Sequence, residues 1–291
     1  MLILLADAFT SDLPKRLEAF GQVTQDHARA NEAEIIIVRS KTKVGKDMID
    51  VAPKLKFVIR GGVGVDTIDV PYAESKGITV VNTPEASSVA VAELAFAMMA
   101  AMPANIVAAD VSMKQGKWLK KELERTELMG KTLGLIGIGR IARELAVRAK
   151  AFGMHVVAYD KYVDKSDAAE MMSLDKVYAQ ADFISIHTPL TDETRGMINA
   201  AAIAKMKKGA RIINTCRGPV VVEDDVAAAL KSGQLGGFAT DVYAKEPPEG
   251  SPLVAAPNTL MTPHIGASTA ENLLRLGDCI VDRVKAYAAK K

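Results

Sequence analysis

The run Gly134-Leu135-Ile136-Gly137-Ile138-Gly139-Arg140-Ile141-Ala142 constrains this chain more than any other segment. An apolar β-type stretch, Thr132–Ile136, precedes it. A helical pattern follows, with Ile141, Ala142, Leu145, Ala146 and Ala149 on one stripe. The pattern GxGxxA alone is weak evidence, because glycine-rich turns are common. In a strand–turn–helix unit it acquires a physical meaning. Gly137 permits the tight turn and Gly139 lets backbone approach an anion. The first helical turn, Arg140 and Ile141 included, offers free N–H groups and the positive end of the helix dipole. Asp160 ends the next strand candidate, His155–Tyr159, 21 positions after Gly139. A carboxylate there accepts hydrogen bonds from a ribose and repels a 2′-phosphate. The segment therefore predicts a dinucleotide site with NAD favoured, although Lys161 alongside works against that preference.

Around this motif the chain alternates apolar runs with helical patterns. Leu2–Leu5, Ile35–Val38, Phe57–Ile59 and Ile78–Val81 form a first series of strand candidates. A second contains Thr132–Ile136, His155–Tyr159, Phe183–Ile186, Ala210–Asn214, Phe238–Val242 and Thr259–Thr262. Helical patterns lie at Ile141–Lys150, Ala200–Lys207 and Glu223–Ser232. Continuous apolar strands separated by helices predict parallel sheets covered on both faces. An Ala/Met-rich helical stretch, about Ser87 to Met113, joins the two series. A last helix over Thr269–Lys291 needs an apolar surface, and the first domain offers one. With 291 residues, two domains are the natural size expectation.

Composition excludes several classes. Basic and acidic residues number 37 and 35, a net charge of +2, so no nucleic-acid-binding field is expected. Cys216 and Cys279 are the only cysteines, too few for a disulfide framework or a zinc site. No metal is expected, and a reducing, cytoplasmic setting is. The N-terminus lacks a basic region followed by a long apolar one. The apolar stretch Val89–Met102 contains Glu93 and falls short of the ~20 residues of a membrane span.

Three later segments each end a strand candidate and each carry one chemically useful residue: Arg217 in Asn214–Gly218, Glu246 in Thr240–Pro247, and His264 in Thr262–Ala267. Ligands of doubly wound sheets bind beyond the carboxyl ends of the strands, so a cation, an acid and an imidazole converge there. At these residues the sequence resembles the D-isomer-specific 2-hydroxyacid dehydrogenases. The matching segments are Arg60–Asp66, Asn82-Thr83-Pro84, Val91–Leu94, His187–Leu190, Asn214 with Arg217-Gly218, and Pro263–Gly266.

The resemblance implies a Rossmann NAD-binding domain, residues 98–266, inserted in a flavodoxin-like substrate domain formed by 1–97 and 267–291. It implies hydride transfer between nicotinamide and a small 2-hydroxy or 2-oxo acid. His264 would be the acid–base group, its imidazole suited to that work near neutrality. Glu246 would bond the ring and favour its charged form. Arg217 would grip the substrate carboxylate with a planar, permanently charged fork. The family places Thr188, Thr215, Cys216, Asp241 and Gly266 around the cofactor. Arg60, Gly62 and Val63 would face the substrate. His187 also ends a strand but is expected to be a structural hydrogen-bonding residue.

One departure stands out: Glu85-Ala86-Ser87-Ser88 replaces the usual Asn-containing loop, leaving Ser87 as the substitute donor. Within the family the likeness is greatest to the phosphoglycerate dehydrogenases, with glyoxylate or hydroxypyruvate reductases as the alternative. An NADH-sensing corepressor-like scaffold is a remote third. The first branch implies that Arg39 and Arg60 bind a distal phosphate, with Lys120 or Lys121 supplied from the arm of a second copy. A homodimer through a helical arm, about 107–128, is expected. Because the last helix falls near the end of the chain, serine feedback through a C-terminal regulatory domain is not.

Overall fold

A computed structural model describes residues 1–290, which divide into two compact units, 1–90 with 267–290 and Val91–Gly266. The division falls inside a helix that also contains residue 97, the boundary expected from sequence.

The first unit holds β1 (Leu2–Leu5), α1 (Leu13–Leu17), β2 (Gln22–Thr24), β3 (Ile35–Val38), α2 (Lys46–Asp50), β4 (Phe57–Arg60), α3 (Val70–Ser75) and β5 (Thr79–Asn82). The five strands are parallel and ordered β2-β1-β3-β4-β5, the flavodoxin-like order. Alternate side chains of the apolar runs enter different cores. Leu4, Ile36, Val38 and Val58 face one; Ile3, Leu5, Ile35, Ile37 and Ile59 face the other. Burial on both faces explains why these strands are apolar throughout rather than alternating. The polar edge strand β2 gave no such signal.

The second unit runs through α4 (Ser88–Ala104), α5 (Ile106–Lys114), β6 (Thr132–Ile136), α6 (Arg140–Ala151), β7 (His155–Tyr159), β8 (Glu170–Met171), α7 (Leu174–Gln180), β9 (Phe183–Ile186), α8 (Ala200–Ala204), β10 (Ala210–Asn214), α9 (Glu223–Ser232), β11 (Leu235–Thr240) and β12 (Thr259–Met261). Its parallel sheet is ordered β12-β11-β10-β9-β6-β7-β8. Six of these strands reproduce the Rossmann order, with the direction reversing between β6 and β9, and β12 extends the edge. The chain then returns to the first unit as α10 (Ala270–Ala288). This helix packs Leu276, Ile280 and Val284 into the core containing Ile3 and Ile59.

Several expectations need correction. The helix anticipated over 87–113 is two helices bent by 64° at Asn105, which takes a left-handed conformation two residues after Pro103. The arm is not helical to 128. Gly116 (φ 72°) ends α5, with its N–H on Met113 O and the Lys117 N–H on Ser112 O, a Schellman cap. The helix expected to reach Lys207 stops at Ala204. β11 begins at Leu235, through two glycines that hide its start, and ends at Thr240 rather than Val242. Among the described residues no single helix is long and apolar enough to cross a membrane.

Candidate active site

The glycine loop follows β6. Gly137 has φ 91°, and a Cβ there would lie 2.7 Å from the His187 carbonyl oxygen, so only glycine fits. Gly139 caps α6 without a side-chain bond, and a Cβ on it would meet nothing within 4 Å. The start of α6, at Arg140 and Ile141, is thus free of side-chain capping, with clear space beside Gly139. Asp160, just past β7, accepts the Ile138 N–H at 2.9 Å through Oδ2 and the Tyr162 N–H at 2.9 Å through Oδ1. It anchors the glycine loop, and a carboxylate has further acceptor capacity for ribose hydroxyls. Lys161 is engaged by both oxygens of Glu193, at 2.6 and 2.5 Å.

Thr188 follows β9 and contacts the Met197 sulfur at 4.0 Å. Thr215 follows β10, and its buried hydroxyl has no protein hydrogen-bond partner. An uncapped helix start above Gly139 and an orphaned hydroxyl fit a bound dinucleotide. Cys216 donates its thiol to Asn214 Oδ1 at 3.1 Å, and burial pushes its pKa up to about 11. It is a packed thiol and not a nucleophile. His187, bonded to Ser185 Oγ at 2.9 Å, has its pKa lowered by burial to about 4, which keeps it neutral.

Three loops beyond β10, β11 and β12 carry the chemical residues. His264 Nδ1 lies 2.8 Å from Glu246 Oε2, and both side chains are partly open to solvent. His264 adopts φ 55°, a conformation that non-glycine residues take only when their surroundings impose it. Asp241 imposes it here. Its buried carboxylate accepts the Thr262 hydroxyl at 2.5 Å and the N–H groups of Ile265 and Gly266, each at 2.8 Å. Three donors from one loop make Asp241 the anchor of the histidine loop.

Arg217 takes an extended backbone and donates from Nη1 to the Cys216 carbonyl at 2.6 Å. Asn214 holds this turn through Cys216 N–H at 3.1 Å and the Arg217 carbonyl at 3.0 Å. The next residue, Gly218, packs on the Tyr243 carbonyl group so closely that a Cβ would fall 1.9 Å from its carbon. Arg217's loop therefore rests on the loop that carries Glu246.

The first unit carries the other candidates. Arg39 and Arg60 leave neighbouring strands at one edge, because Val38 pairs with Arg60. Asp7 accepts the Arg39 N–H at 2.6 Å and the Thr42 hydroxyl at 2.7 Å. Burial alone would raise its pKa, but these bonds hold it below the usual carboxylate value. Arg60 curls beneath its own loop, Nη1 on the Gly61 carbonyl at 3.0 Å. Gly62 and Val63 are tied to Thr83 and Asn82 by bonds of 2.8 and 2.6 Å. Ser87 is buried. Lys120 belongs to the second unit and lines an apolar groove with Ala109, Met113, Trp118, Leu119 and Leu123.

Sequence reasoning passed over Asn214 as an organiser, although it heads the Asn214/Arg217/Gly218 pattern. It also passed over Tyr243, for which no signal existed.

Residues 96–266 match the family described as D-isomer specific 2-hydroxyacid dehydrogenase, NAD binding domain. The chain is 43% identical to D-3-phosphoglycerate dehydrogenase of Methanocaldococcus jannaschii, an alignment covering 97% of this chain and 56% of that protein. It therefore spans little more than half of that relative. It is 44% identical to hydroxypyruvate reductase of Thermotoga maritima over 90% of each. A structure of D-lactate dehydrogenase from Aquifex aeolicus, complexed with NAD and lactic acid, superposes with a TM-score of 0.87 at 30% identity, covering 100% of this chain and 96% of that one. This chain belongs to the D-isomer specific 2-hydroxyacid dehydrogenase family, and its second unit is the NAD-binding domain of that family.

Proposed function

We propose that the protein is an NAD-dependent dehydrogenase that interconverts a D-2-hydroxy acid and its 2-oxo acid. The hydrogen bond between His264 Nδ1 and Glu246 Oε2 carries this reading. Engaging Nδ1 leaves Nε2 to take the hydroxyl proton in oxidation and return it in reduction. Bound NAD supplies the hydride acceptor. Glu246 stabilises the imidazolium formed as the proton arrives. Arg217 holds the substrate carboxylate and polarises the reacting oxygen. The N-terminus of α6 holds the pyrophosphate. Asp160 opposes a 2′-phosphate, and the Lys161–Glu193 pair occupies the neighbouring cation that could have attracted one.

Within the class we favour D-3-phosphoglycerate, oxidised to 3-phosphohydroxypyruvate at the entry to serine synthesis. Two arginines at one sheet edge of the first unit support a doubly anionic substrate. The alternative, a glyoxylate or hydroxypyruvate reductase, draws on the Thermotoga relative, which matches over 90% of each chain at similar identity. Glyoxylate, hydroxypyruvate and 3-phosphohydroxypyruvate, each assayed with NADH and with NADPH, test the proposal. Turnover of 2-oxo acids with NADH is expected; turnover of none, or equal use of NADPH, overturns the corresponding part.

We propose a homodimer through the arm. Ile106, Val107, Val111, Met113 and Trp118 are exposed apolar side chains on one short stretch, far more than isolated surface residues. Light scattering at micromolar concentration should give twice the chain mass, and a monomer overturns the proposal. Cys216 and Cys279 are both free thiols, in keeping with a reducing compartment.

A further inference from the structure

Tyr243 supplies no catalytic group, yet all three catalytic loops touch it. Its hydroxyl donates to the Thr262 carbonyl at 2.7 Å, two residues before His264. Its N–H donates to Glu246 Oε1 at 3.2 Å, the oxygen that His264 does not use. Its carbonyl group is the surface on which Gly218 packs, next to Arg217. The residue is 7% exposed and belongs to neither of the two main apolar clusters of its unit. The far side of the loop is fixed as well, by the Ala244 N–H on Glu223 Oε1 at 2.9 Å.

We propose that Tyr243 is a positioning residue that sets the His264–Glu246 pair in register with Arg217. Asp241 fixes the histidine loop to the end of β11 through Thr262, Ile265 and Gly266. Its carboxylate reaches neither Glu246 nor the Arg217 turn, and only its backbone N–H meets that turn, on the Asn214 carbonyl at 3.0 Å. Tyr243 closes that gap, reaching the histidine loop by side chain and the other two by backbone. A left-handed His264 needs this determination from several sides, because the chain would otherwise relax from φ 55° and carry the imidazole with it. Burial, then the nearby carboxylates of Asp241, Glu246 and Glu223, raise the phenol's pKa, so it remains a donor across the working range.

The kinetic part rests on the dehydrogenase reading above; the spectroscopic part does not. Tyr243→Phe keeps the ring and deletes only the hydroxyl. With NADH and the best 2-oxo acid, kcat should fall roughly ten- to a hundredfold, the scale of an ångström-sized misplacement, while KM for NADH holds. In 15N-histidine-labelled protein without ligands, the Nδ1 signal of His264 is identified by its loss in His264→Ala. That signal should move in Tyr243→Phe toward its position in Glu246→Gln. An unmoved Nδ1 signal overturns the proposal, whether kcat is unchanged or falls together with the melting temperature. If the wild type reduces no 2-oxo acid, the dehydrogenase reading fails and the histidine signal still decides the role of Tyr243.

Discussion

The imidazole of His264 is held 2.8 Å from the Glu246 carboxylate, from a backbone conformation of φ 55° that a free chain would avoid. The fold thus holds an unfavourable local geometry to deliver a ring whose Nδ1 is already engaged. His264→Ala should lower kcat by roughly 10²–10⁴-fold, the usual worth of general acid–base catalysis. NADH binding, followed by fluorescence titration, should persist, because the glycine loop and Asp160 do not contact this residue in any hydrogen bond. A variant keeping more than about a tenth of the wild-type rate would remove His264 from the mechanism.

Gly218 is required for a steric reason and not for flexibility. A Cβ would lie 1.9 and 2.0 Å from the Tyr243 carbonyl carbon and oxygen, both backbone atoms with no rotamer to escape into. Gly218→Ala must separate the Arg217 and Glu246 loops. The expected cost is about 3 kcal/mol, the upper part of the range for overpacking, with kcat falling alongside the melting temperature. Wild-type melting and turnover in this variant would show that the two loops are not rigidly joined.

Much of this arrangement is legible in the sequence, and the unread parts share a cause. The central strands β1, β3, β6, β9 and β10 announce themselves because burial on both faces leaves mostly apolar residues, with Ser185 and Asn214 as buried polar exceptions. The two-residue strand β8 and the polar β2 sit at sheet edges, where pairing to a single neighbour demands no pattern. At the site, residue types declare Arg217, Glu246 and His264. Tyr243 and Asn214 work through distances between loops far apart in the chain, and residue type reveals no such distance. The bend at Asn105 was likewise hidden, because a stretch rich in Ala and Met reads as one helix until Pro103 and a left-handed residue interrupt it.

His187 should shape stability against pH without touching catalysis. Burial lowers its pKa from 6.5 to about 4, so the folded protein keeps the ring neutral where the unfolded chain would protonate it. Its contribution is fully present above pH 6.5, declines as pH falls, and is gone below about 4. The difference in melting temperature between wild type and His187→Asn should therefore narrow over that window. A constant difference from pH 7 to 4 would mean that the ring's charge state is not what the fold selects.

Arg39 separates the two substrate readings. Its backbone is fixed by Asp7, which also takes the Thr42 N–H and hydroxyl, so the residue leaves β3 in a defined direction. Its guanidinium makes one bond of 3.2 Å to the Ala8 carbonyl, which leaves most of its five donors for a ligand. On the proposed reading Arg217 grips the carboxylate and Arg39 meets a second anion of the substrate. Losing a charge-assisted contact costs about 1.5–3 kcal/mol, which is roughly a ten- to hundredfold weakening. Arg39→Ala should raise KM for 3-phosphohydroxypyruvate by that factor and leave hydroxypyruvate unchanged. The bland alternative is that Arg39 merely closes the end of β3 through Ala8, in which case both substrates suffer equally and mildly. Equal losses, or a wild type inactive on the phosphorylated compound, would assign the chain to the glyoxylate and hydroxypyruvate reductases.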